Sequence, residues 1–310
     1  MKIPKIITLD YLDKLDKGII KHKGNALKMI DLTEDRTFKI FFKSNEEIFK
    51  RFLNTVVHLN FDDLDCLKLI FMDKEILGSN KDEHGNTYDF FININDSIYV
   101  DVEVNTDYFK TAKNKSFLYY SRLISSSINT GKEYKSFSDK KYIQLNLNSK
   151  DKKEDFGEDC IYPYSTKTQS VYMSNAVIYL RYLDYYNRLY YNEDIKKEES
   201  DYFLAMLTSK TFVELYKMLD SFLEEDIKQR IMRDVIRMSM KISFNEQELK
   251  NLEKQVEMDT KETYINIGIE EKSIEVAKSM LIKGMSIDDI VDITKLSKEK
   301  IEELSKEINR

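Results

Sequence analysis

Proline and glycine are scarce in this chain of 310 residues, at two and eight. That scarcity argues for long helices and against disorder. Cysteine is nearly absent too. Cys66 and Cys160 have no CxxC companion, so no zinc site is indicated. Each reads as a plain buried or half-buried thiol, Cys66 in a strand and Cys160 in a loop. No run of about 18 apolar residues exists to span a membrane, and the N-terminus lacks the apolar core of a signal peptide. A cytoplasmic protein is therefore expected. Tryptophan is missing while Lys, Asn, Ile and Tyr abound, a pattern of AT-rich coding. The net charge of −6 gives no global basic footprint, so any contact with nucleic acid must come from local patches.

An apolar content of 42%, 12% of the chain being aromatic, supports a substantial core, and 34% charged residues keep the surface soluble. The most informative stretch runs from Gly85 to Leu123. Asn93-Ile94-Asn95-Asp96 carries turn residues between two β-rich runs, which predicts an antiparallel hairpin. In the second strand Ile98, Val100, Val102 and Val104 alternate with Tyr99, Asp101, Glu103 and Asn105. Period two puts the valines on one face, expected to pack under a following helix, and Asp101, Glu103 and Asn105 on the other. Asp89, at the far end of the first strand from the turn, lies opposite the end that holds Glu103 and Asn105. Two carboxylates and an amide converging in this way suit Mg²⁺ or Mn²⁺, hard cations that take oxygen ligands and are often shared with substrate phosphate. Acidic residues on a half-exposed strand are also ordinary, and the pattern alone leaves both readings open.

The order of segments adds to this. Asp35-Arg36-Thr37-Phe38-Lys39-Ile40-Phe41-Phe42 resembles an opening D-x-x-F-K-x-x-F box, and Asn45 to Asn54 the helix after it. Asp89, the hairpin, Glu103-Val104-Asn105 and a helix with Lys115, Tyr119 and Tyr120 follow. Thr130-Gly131-Lys132-Glu133-Tyr134 then fits an x-G-x-x-Y turn, and Tyr142 to Leu147 the next strand. Together these resemble the PD-(D/E)XK nuclease superfamily, and within it the Rpn recombination-promoting nucleases, or PD-(D/E)XK family transposases, over roughly residues 30 to 185. The resemblance implies a restriction-endonuclease-like mixed sheet core flanked by helices. It also implies metal-dependent DNA cleavage linked to recombination or mobile elements. Asp89 and Glu103 would bind Mg²⁺ or Mn²⁺, with Asp101 as reserve carboxylate. The third active-site position, usually Lys in the superfamily and often Gln in this family, is Asn105, which would hydrogen-bond the attacking water or the scissile phosphate. A weakened DNA-binding or protein-interaction member of the family is the alternative.

Other residues are placed with less to carry them. Ser44 and Glu47 form a capping-box pattern. Glu47 is also a candidate acidic residue of the catalytic group, since superfamily members often place one from this helix near the metal. A helix expected from about Ala112 to Asn129 has Phe117, Tyr120, Leu123, Ile124 and Ile128 as its apolar stripe, and Lys113, Lys115 and Arg122 positioned to meet DNA phosphate. Residues 1–30 read as a solvated basic segment, and Thr168 to Asp184 as edge strands. The expected division is a nuclease-like domain over 1–191 and a helical region over 192–310. That second region ends in a helix-turn-helix-like tail and offers a surface for self-association.

Overall fold

The computed structural model describes residues 1–72, 90–105, 109–126, 138–148, 156–242, 272–274, 276–283 and 285–308. After α1 (Leu9–Asp16) and the short pair of β1 (Lys21–His22) with β2 (Asn25–Ala26), its centre is a six-stranded mixed sheet in the order β3 (Leu69–Phe71), β4 (Phe90–Ile94), β5 (Ile98–Asn105), β6 (Lys141–Asn148), β10 (Ala176–Tyr182), β7 (Glu158–Ile161). The pairs β5–β6 and β6–β10 are parallel, and the others antiparallel. Helices flank this sheet, which is the restriction-endonuclease-like architecture that the segment order implied.

The β4–β5 hairpin forms where the turn residues stand. Asn95 and Asp96 both take positive φ, +49° and +57°, and the Ser97 amide donates to the Ile94 carbonyl at 3.2 Å. Asn and Asp tolerate that left-handed backbone better than other side-chain-bearing residues, which makes them the natural centre of a type I′ turn. β10 lies inside the sheet with every position buried, and the edge is β7, all of whose positions are exposed. Thr168 to Asp184 thus holds an interior strand as well as the small separate pairing of β8 (Tyr164–Ser165) with β9 (Ser170–Val171). An unbroken run such as Ala176–Tyr182 is what a strand covered on both faces looks like.

The valine face of β5 is covered by α2 (Asp35–Ser44) and α3 (Glu46–Val56), not by the helix that follows the hairpin. Phe90, paired with Val102, meets Phe49 at 4.9 Å and Phe38 at 5.8 Å between ring centroids, and Phe42 meets Phe49 and Phe52 at 4.9 Å each. The α2–α3 junction also differs from the predicted capping box. Ser44 closes α2, and Asn45 caps α3 without a side-chain bond to it, because its amide nitrogen donates back to the Phe41 carbonyl at 2.9 Å.

By its internal contacts the chain divides into Met1–Asn251 and Leu252–Arg310. The boundary at 191 is therefore not where contact density falls. Phe52 of α3 meets Phe203 at 5.9 Å, Phe203 meets Phe222 at 4.8 Å, and Arg51 donates to the Phe222 carbonyl at 3.2 Å. These contacts tie the helices Glu199–Met206, Phe212–Asp220 and Glu225–Ile242 into the sheet's own unit. The N-terminal segment is tied in as well rather than solvated. The Gln229 side chain accepts from the Ile7 amide at 2.7 Å and donates to the Ile7 carbonyl at 2.8 Å, while Asp16 accepts from the amides of Phe212 and Val213 at the start of a helix. Carboxylates are favoured at that end because the first amides of a helix lack partners.

In the second unit, helical residues 272–274 and 276–282 and the helices Ile287–Thr294 and Lys298–Ile308 close over Ala277, Ile290, Ile301 and Leu304. Ser286 caps the helix Ile287–Thr294, its side chain accepting from the Asp289 amide. The stretch Thr130–Tyr134 and residues 243–271 lie outside the described residues. Cys66 falls in a short 3₁₀ turn and Cys160 in β7, and both are exposed, contrary to the buried or half-buried thiols expected. Among the described residues no helix is long and apolar enough to cross a membrane.

Arg181 shows how the sheet is joined to α3. It is 1% exposed, and it donates to the Val56 carbonyl at 2.8 Å, where α3 ends. It also pairs with Glu158 at 2.7 Å and lies against the Tyr179 ring. Arg181→Ala removes that packing and strands a helix-end carbonyl, so a loss of about 3 kcal/mol in chemical denaturation is expected. Glu158, half exposed, is a partner that water can replace, so Glu158→Gln should cost under about 1 kcal/mol. Gln229→Ala, which breaks both bonds to Ile7, should cost about 2 kcal/mol in the same measurement.

Candidate active site

β5 and β6 run parallel and in register, Asp101 beside Gln144, Glu103 beside Asn146, and Asn105 beside Asn148. Because a strand alternates, these six side chains form two adjacent polar rows on one face, with Tyr99 and Tyr142 stacked at 5.7 Å at the head of the same face. The rows are buried: Asp101, Glu103 and Gln144 are 0% exposed, and Asn105 and Asn148 only 7% and 5%. Six polar side chains in a sheet interior are unusual, since burial costs free energy unless each is well bonded.

The cover is α4 (Phe109–Ser126), which lies over this face and not over the valines. Its Tyr119, Tyr120 and Leu123 join Tyr99 and Tyr142 in one apolar cluster at the head of the strands. Ser116 and Lys115, nearer its start, reach the polar part. Phe117, expected in the buried stripe, is instead 66% exposed, because the helix turns Ser116, Tyr119 and Tyr120 inward.

Asn146 is the hub of the bonding. Its Oδ1 accepts from Ser116 Oγ at 2.8 Å, from Asn105 Nδ2 at 3.2 Å and from Gln144 Nε2 at 3.2 Å, and its Nδ2 donates to Gln144 Oε1 at 2.8 Å. This fixes the amides of Asn105 and Gln144 beside the carboxylates. Glu103 Oε2 takes the Lys115 ammonium at 2.7 Å. The lysine reaches in from outside: its side chain is 41% exposed against 1% for Glu103, and its ammonium stands 5.1 Å from the Tyr119 ring. At the Asn105 end of the rows, Asn148 Oδ1 is buried and has no hydrogen-bond partner among the described residues. In the cluster at the head of the strands, burial pushes the Tyr120 hydroxyl above its ordinary pKa.

Several sequence-derived site residues meet here and others do not. Asp101, Glu103 and Asn105 share one buried face, and Lys115 reaches it from α4. Asp89 lies outside the described residues, as does the side chain of Lys113. Arg122 is half-buried on α4. Glu47 does not join them: it is exposed and pairs with Arg230 at 2.6 Å. It also sits on α3, which packs through Phe49 against the opposite, valine-bearing face. The sequence reading passed over Gln144, Asn146, Asn148 and Ser116. The signal for the first three was present, as polar residues at every second position of a strand whose other positions are Ile143, Leu145 and Leu147.

The donors suit a divalent cation in kind. Carboxylate and amide oxygens are what Mg²⁺ and Mn²⁺ prefer, and an unmatched buried acceptor at Asn148 lies in the same rows. Among the described residues no three His, Cys, Asp or Glu side chains gather as a metal cage. Mg²⁺ is commonly held by only one or two carboxylates, with water and substrate completing its shell.

The sequence profile of the PD-(D/E)XK nuclease family transposases matches residues 32–266. No curated protein and no solved structure matches the chain. The profile spans the whole sheet, α2 to α4 and the helices packed behind them, so the chain belongs to the PD-(D/E)XK nuclease family transposases.

Proposed function

We propose that this protein is a metal-dependent DNA endonuclease that hydrolyses phosphodiester bonds in recombination or mobile-element movement. The observation that carries the reading is the pair Asp101 and Glu103. Both are wholly buried among fixed amides, Glu103 two residues from the carboxyl end of β5 where it runs parallel to β6, in a chain of a nuclease family. Clefts beyond the carboxyl ends of parallel strands are where ligands bind in such sheets.

Glu103 and Asp89 would hold Mg²⁺ or Mn²⁺, with Asp101 beside Glu103 on the same strand. A divalent ion bound there lowers the pKa of water and offsets charge on a phosphoryl group. The chain's own residues do the rest. Asn146 holds the Asn105 amide in place, so that its polar group is presented without first having to be ordered. α4 and the tyrosine cluster close one side of the rows from water, which strengthens every charge interaction made there. Lys113, Lys115 and Arg122, all on α4, would meet DNA phosphate. The net charge of −6 makes such a local patch necessary. Self-association through the helical C-terminal region and DNA contact by its tail fit this reading.

Purified protein should nick supercoiled plasmid when Mg²⁺ or Mn²⁺ is added and not in EDTA. Glu103→Ala and Asp89→Ala should each lower the rate by at least about 100-fold. Glu47→Ala should change it by less than about three-fold, since Glu47 pairs with Arg230 away from the rows. Metal-dependent nicking that survives Glu103→Ala would remove the assignment.

A further inference from the structure

We propose that Lys115 supplies from α4 the positive charge that Asn105 does not carry on β5. The inference rests on the nuclease reading and assigns to one side chain the task of meeting the transition state's added negative charge.

Three observations place it there. First, Asn105 is neutral and its Nδ2 already donates sideways to Asn146 at 3.2 Å, so it is part of the amide scaffold. Second, the Lys115 ammonium stands 2.7 Å from Glu103 Oε2, and Glu103 is two residues from Asn105 on the same face. A cation tethered to the helix therefore occupies the neighbourhood that one tethered to position 105 would reach. Third, its position is fixed from both sides. The next residue, Ser116, is bonded to Asn146 at 2.8 Å, and Tyr119, one turn on, lies with its ring 5.1 Å from the ammonium.

Exposure separates this role from that of a plain counter-ion. A lysine that served only to neutralise Glu103 would gain by being sealed in with it, where the attraction is least screened. Lys115 keeps 41% of its side chain exposed while touching a carboxylate that is 1% exposed. It thus stands at the boundary between the buried rows and whatever approaches them. An ammonium has three donors, so Lys115 can keep Glu103 on one and offer another to a phosphate oxygen.

In the reaction a water oxygen bonds to phosphorus and the bond from phosphorus to the leaving sugar oxygen breaks. The water's proton passes to solvent, and the leaving oxygen takes one from solvent. Lys115 stays protonated throughout, and its charge offsets that gathered on the non-bridging oxygens. A charge fixed before the reaction is worth most at such a centre.

The test compares wild type, Lys115→Gln, Lys115→Arg and the double variant Asn105→Lys/Lys115→Gln. Supercoiled plasmid nicking with Mn²⁺ is measured beside calorimetric titration of Mn²⁺ into each protein without DNA. Lys115→Gln is expected to lose about 100-fold in nicking rate, the usual scale for one preorganised charge-stabilising donor. It should bind Mn²⁺ at least as tightly as wild type, because a cation competing for Glu103 is gone. Lys115→Arg should keep part of the rate, and the double variant should regain at least about ten-fold over Lys115→Gln. That variant keeps a cation beside Glu103, so if Lys115→Gln alone fails to fold, its rate is read against wild type, of which it should keep at least about a tenth. Active wild type with Lys115→Gln within about three-fold of it, or a folded double variant with no recovery, overturns the role of Lys115 and leaves the nuclease reading standing. Wild type that nicks nothing with either metal overturns the nuclease reading, and this inference with it.

Discussion

Two carboxylates without exposed surface sit side by side on β5, and the arrangement around them follows from the cost of keeping them there. Removing a charge from water is unfavourable by several kcal/mol even after relaxation, unless partners replace the lost hydration. β6 brings Gln144, Asn146 and Asn148 into register with Asp101, Glu103 and Asn105, and α4 brings Ser116 and Lys115 down on top. Asn146, with three donors on one oxygen, is the point at which strand β5, strand β6 and helix α4 are bonded together. A purely structural sheet would place apolar side chains here, as it does on the valine face. The polar face is retained at a cost in stability, and that cost is understandable where a site needs charge fixed in advance.

The two faces of β5 thus divide the labour. The valine face is held by the phenylalanines of α2 and α3, which are held in turn by Phe203 and Phe222. Arg181 closes the end of α3 against β10. The more rigid that support, the more narrowly the carboxylates on the other face are positioned, and precise placement is what catalytic groups require.

Much of this was legible from residues alone because period two is unambiguous in Tyr99 to Asn105, and Asn95-Asp96 is a strong turn signal. The family came through because several boxes kept their order. The side from which a helix covers a strand is a tertiary matter, and there the sequence misled: α4 covers the acids, not the valines. β6 held a polar row as regular as that of β5, but its apolar members drew attention first. Ser44 and Glu47 match a capping box in letters. The backbone makes Asn45 the cap, since Asn45 bonds back to the turn before it, and Glu47 finds Arg230. The helices after residue 191 read as a separate bundle because amphipathic spacing shows that a face is buried without showing against what.

The proposed nuclease chemistry depends on the buried rows of β5 and β6 holding a divalent metal. The most direct measurement is anomalous X-ray scattering from crystals grown with Mn²⁺. A single strong peak is expected against the Glu103 carboxylate and should be absent from Glu103→Gln crystals. A structure in which Mn²⁺ binds elsewhere, or does not bind while the protein in the same solution cleaves DNA, would contradict it.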